Sequence, residues 1–129
     1  MTILKKVLGA FFLLAGINKI MAYGGTVYYV GEMMGYPSAS LLVMAAIVAE
    51  VAGGIALLMP RIPALKSLCV LRQQVAAYGL LVFTAIATLM FHVPGMAGET
   101  FDAEMVHVMK NIVVMAALWA VGRNITKSA

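Results

Sequence analysis

Apolar residues dominate four stretches of the chain, about Ile3–Ala22, Ala39–Met59, Val75–His92 and Met105–Gly122. Short segments rich in glycine, proline, tyrosine or charge separate them. At about 1.5 Å per residue, helices over these stretches reach roughly 27–32 Å, the thickness of a hydrocarbon core. The pattern predicts an all-α, four-transmembrane-helix bundle. Little chain remains for anything else, so residues 1–129 read as a single integral membrane domain.

The segments between the stretches refine this. Tyr23–Ser38 holds four tyrosines, a residue that prefers the headgroup zone, and predicts a short interfacial helix over about Thr26–Met34. Gly35 and Pro37 break it, and Ser38 is placed to cap the second span. Met1–Ala22 begins like a leader, with Lys5 and Lys6 before an apolar run. That run continues through Ile20-Met21 without a small-x-small site, so it reads as an uncleaved first helix.

Composition decides the solvent. The chain is 64% hydrophobic and 11% charged, with mean hydropathy +1.00, which places it in a lipid bilayer. The net charge of +4 is then a topology signal and no nucleic-acid footprint. Basic residues fall before the first span (Lys5, Lys6), in the middle loop (Arg61, Lys66, Arg72) and in the tail (Arg123, Lys127). The first and third loops have none. The positive-inside rule puts both termini in the cytoplasm and gives the outer face an acidic rim of Glu99, Asp102 and Glu104.

An ionisable group inside a span costs about 2.5–3.5 kcal/mol on insertion scales and tends to mark a site. Glu50 lies roughly 16 Å into the second span, near the midplane. Ala46 and Gly54, one turn either way, let a neighbouring helix come close and turn this face into the bundle. Its partner is Lys19 or Lys110. Lys19 and Glu50 lean toward each other along antiparallel helices, and Lys110 leans outward. Thr84, Thr88 and His92 form a polar stripe on the third helix, and Glu104, His107 and Asn111 one on the fourth. Together these predict an outward-opening pocket. Glu50 and His92 are its proton-handling candidates, and Asn18, Lys19, Thr88, Lys110 and Asn111 its binding candidates. A structural ion pair that only fixes helix register is the plainer reading of Glu50.

Some chemistry is set aside. Cys69 is the only cysteine, so the chain cannot perform thiol–disulfide exchange alone. His92 and His107 stand near Met90, Met96, Met105 and Met109, yet fixed ligand spacing is lacking and methionine fills gaps between helices. No metal site is expected.

The chain resembles the DoxX family of small membrane proteins. The likeness rests on Ala15-Gly16-Ile17-Asn18-Lys19, Gly35-Tyr36-Pro37, Glu50 with Gly53-Gly54, His92, and Lys110-Asn111. It implies a four-helix bundle in a bacterial inner membrane and a link to redox chemistry. Relatives include subunits tied to thiosulfate:quinone oxidation and to membrane complexes handling thiol and oxidative stress. Three functions compete. One is an accessory redox subunit holding a quinone, with electrons supplied by a partner. The others are a small anion or metabolite carrier or binding protein, and a non-catalytic scaffold for a membrane complex. A membrane or periplasmic partner, or a homo-oligomer, is expected in each.

Overall fold

A computed structural model describes residues 1–96 and 101–127, and every element among them is helical. Helix α1 (Thr2–Met21) is followed by α2 (Tyr23–Met34), α3 (Tyr36–Leu58), a 3-10 turn (Pro63–Leu65) and α4 (Lys66–Ala87). A π-helical turn (Thr88–His92), a single turn α5 (Val93–Gly95) and the long α6 (Phe101–Lys127) complete the order. Glu99, part of the expected acidic rim, lies outside the described residues.

Three segments are long and apolar enough to cross a membrane by themselves: Tyr36–Leu58, Pro63–His92 and Phe101–Lys127. Helix α1 has the length, at 20 residues, but carries Lys5, Lys6 and Lys19. Lys19 is matched by a carboxylate on α3, described below. Packed together, α1, α3, α4 and α6 form the four-helix bundle that the hydropathy pattern predicts. Leu8 and Phe12 of α1, Leu57 of α3, Leu80 of α4 and Leu118 of α6 meet in its core. The outside is studded with exposed apolar side chains, such as Leu41, Val48, Val75, Val82 and Val113, which suit lipid.

The helices are longer than the apolar stretches because charge at an interface does not break a helix. Helix α4 starts at Lys66 rather than at Val75, and α6 runs from Phe101 to Lys127 rather than from 105 to 122. Likewise α3 opens at Tyr36 with Pro37 in its first turn, where the missing N–H costs nothing. Ser38 therefore does not cap this helix; its hydroxyl donates back to Gly35 O and Met34 O.

At its far end α1 breaks at Ala22, and α2 departs at 91°. Helix α2 covers the end of α3 through a small cluster of Val30, Ala39 and Val43, joined by Tyr23, Val27 and Phe91. Gly35 turns the chain back at φ +90°, a left-handed value that favours glycine. At the opposite, basic end, the carbonyls where the chain leaves α3 need donors. Arg72 Nη2 donates to Met59 O and Pro60 O, and Gln73 Nε2 also donates to Met59 O.

Candidate functional site

Helices α1 and α3 run antiparallel with their backbones almost touching. A Cβ on Gly16 would lie 2.6 Å from Val51 Cγ2 and 3.3 Å from Glu50 Cβ. That approach lays the end of α1 against the middle of α3. Lys19 Nζ donates to both Glu50 oxygens at 2.9 Å. The Glu50 side chain is 7% exposed and that of Lys19 is 30% exposed, so the pair is sheltered and reachable through its lysine. Lys19, rather than Lys110, is thus the direct partner of Glu50, as their mutual lean favours.

Lys110 sits elsewhere. It is exposed on α6, with Nζ 5.9 Å from the centre of the Phe11 ring on α1. Its charge still reaches Glu50. The α1–α6 seam it occupies is more lightly packed than the α1–α3 or α4–α6 contacts.

A second polar group lies between α4 and α6. Asn111 Nδ2 donates to Thr88 Oγ1 at 2.9 Å, Thr88 donates to Thr84 O at 2.7 Å, and Thr84 donates to Leu80 O at 2.7 Å. All three residues are buried. The chain of bonds satisfies each hydroxyl along its own helix and leaves Asn111 as the cross-link between helices. Such interhelical bonds in membranes average about 0.6 kcal/mol. Asn111→Leu is therefore expected to lower stability by about 1 kcal/mol or less in a denaturant titration in micelles, and Thr88→Val by a similar amount. A loss several times larger would show that this pair organises the bundle.

The third group closes the α2 end. Pro94 has no N–H for the carbonyl four residues back, and the turn before it widens, so that Val93 N–H bonds to Thr88 O. This π-turn carries His92 to α6. Its Nδ1 lies 2.6 Å from Glu104 Oε2, and its ring stacks on His107 with centroids 4.9 Å apart and planes 18° apart. The rings stack rather than converge, and among the described residues no three His, Cys, Asp or Glu side chains are grouped to hold a metal ion. Nearby on α2, burial and then the Glu104 carboxylate raise the Tyr29 phenol above its ordinary value.

The predicted residues are thus distributed over three groups and the separate Lys110 at the α1–α6 seam instead of one pocket. Lys19 and Glu50 pair; Thr88 and Asn111 pair; His92 joins Glu104. Asn18 is exposed, and among the described residues its side chain makes no hydrogen bond. Three participants were not among the pocket candidates, although Glu104 and His107 already stood in the polar stripe read on the fourth helix. Glu104 and His107 complete the His92 group, and the i, i+3 spacing of Glu104 and His107 on α6 was the available signal. Phe11 reads as packing until its ring is seen beneath Lys110.

The DoxX family model matches residues 1–93, which include Lys19, Glu50 and His92 and stop before α6. No curated protein and no solved structure matches the chain.

Proposed function

Since the chain belongs to the DoxX family of membrane proteins, we propose that it is an accessory subunit of a redox system in the bacterial inner membrane. It holds a quinone head group at the α1–α6 seam and works with a partner protein that supplies the electrons.

The observation that carries this reading is an excess of positive charge inside the spans. Lys19 and Lys110 both act on Glu50, but both carboxylate oxygens are already bonded by Lys19. Lys110 has no carboxylate partner of its own among the described residues. A lipid-facing ammonium calls for an acceptor, and Lys110 offers an N–H beside the Phe11 ring. A quinone carbonyl matches the first and its ring matches the second. When bound, a quinone supplies two-electron, two-proton chemistry.

Around it, Lys110 orients the oxygen and the Lys19–Glu50 pair sets the local charge. His92 and Glu104, roughly 9 Å further along α6, exchange a proton with water at the α2 end. The same excess charge would draw a small anion, and this supports the carrier as second reading.

The test is lipid extraction and mass spectrometry of protein purified in nanodiscs. Lys110 is exposed, so Lys110→Met is expected to fold normally and to retain at least about tenfold less quinone, the weight of one lost charge-assisted bond. Equal quinone in both samples, or none in the wild type, overturns the reading. Anion binding that Lys110→Met abolishes, with no quinone present, would favour the carrier.

A further inference from the structure

A groove of about 560 Å³ runs along the outside of the bundle between α3 and α4, remote from the seam holding Lys110. Small residues shape its walls: Ala49, Gly53 and Ala56 on α3, Ala76 and Gly79 on α4. Leu68 and Leu80 mark its extent on α4, a rise of about 18 Å from the basic end into the membrane. Its lining is apolar apart from one residue, Arg72, at the basic end.

Arg72 is only partly engaged. Its Nη2 holds the carbonyls of Met59 and Pro60, just past the end of α3, whereas Nε is buried without a hydrogen-bond partner. A guanidinium has five N–H donors and pairs best with two oxygens of one anion. An apolar channel open to lipid, closed at the interface by an incompletely satisfied cation, describes an anionic amphiphile.

We propose that the α3–α4 groove is a binding site for one anionic phospholipid of the leaflet on the basic side, with an acyl chain along the small-residue walls and the phosphate on Arg72. The surroundings favour an anion: Lys5 lies close enough to act electrostatically with both Arg72 and Arg61. A transmembrane helix from a partner would also fit small-residue walls. It would leave the Arg72 charge without an anion, since Arg72 forms no ion pair among the described residues, so the lipid is the occupant that accounts for both the apolar walls and the cation.

Native mass spectrometry tests this after exchange of the whole protein into nanodiscs of equal phosphatidylglycerol and phosphatidylcholine. The expected result is one retained lipid, predominantly phosphatidylglycerol. Gly79→Leu fills the groove, and a Cβ there meets nothing within 4 Å, so the fold is kept. It should lower retention of both lipids roughly tenfold, because the seat for about two methylenes is lost. Arg72→Gln should bring the two lipids to equal retention, and Arg72→Lys should keep most of the preference. Ala52→Leu, at an exposed position on the opposite wall, repeats the groove-filling test. Wild-type retention in both leucine variants overturns the proposal. So does a change from oligomer to monomer in those variants with lipid retention unaltered, which would give the groove to a helix.

Discussion

Replacing Glu50 by alanine is expected to destabilise the bundle by about 3 kcal/mol, the lower part of the range for breaking a buried ion pair. The cost arises less from the lost attraction than from the Lys19 ammonium left behind within the span. Lys19 is 30% exposed and its stem is long, so it escapes part of the penalty by extending toward the α2 end. That places the effect below the upper limit of about 5 kcal/mol. The double variant Lys19→Met/Glu50→Leu removes both charges and keeps comparable volume. It is expected to recover most of the stability, since apolar replacements of buried pairs are often neutral or better. Reversible unfolding in mixed micelles, followed by far-UV circular dichroism, would measure all the variants in one cycle. A double variant as unstable as Glu50→Ala would mean that the pair holds α1 and α3 by something other than charge matching. The double variant also separates structure from function. It is expected to keep the fold while removing the ion pair near Lys110 with no change in net charge, so altered quinone retention in a stable protein would belong to the site itself.

The spans were legible from sequence because lipid leaves so few options. Backbone groups must be satisfied within each segment, and a run near 20 apolar residues has one common outcome. The Lys19–Glu50 contact was legible only in part: side-chain direction on antiparallel helices favours it, but from sequence the partner stood open between Lys19 and Lys110. The assembly of the other polar residues was not. Periodicity places Thr88, His92, Lys110 and Asn111 on faces of their own helices without giving the rotation of one helix against the next. In the fold, Asn111 turns into the α4–α6 contact, and Lys110, its neighbour, therefore turns out toward α1 and lipid. His92 is redirected by the widened turn that Pro94 imposes, an effect that a regular helical wheel leaves out. Helix ends were placed short for a different reason. Hydropathy follows the solvent boundary, and α4 and α6 continue as helices beyond it.

The α1–α3 packing leads to a second large effect. Gly54→Leu is expected to cost about 3 kcal/mol or more, at or beyond the usual range for an overpacked contact. A Cβ at Gly54 would lie 2.7 Å from the Gly9 carbonyl oxygen and 2.7 Å from the Leu13 amide nitrogen. Both are backbone atoms, so no rotamer change relieves the clash and the two helices have to separate. Lys19 then loses its reach to Glu50, because the bidentate contact depends on the same close approach continuing through Gly16. Gly24 and Gly79 serve as controls, since a Cβ at either meets nothing within 4 Å. Alanine there should be neutral or stabilising by up to about 1 kcal/mol, the usual penalty of a helical glycine. The same micelle titration reads all three positions. If Gly54→Leu unfolds with the wild-type midpoint, the α1–α3 backbones do not approach as described, and the Lys19–Glu50 pair must be held in place by the rest of the bundle.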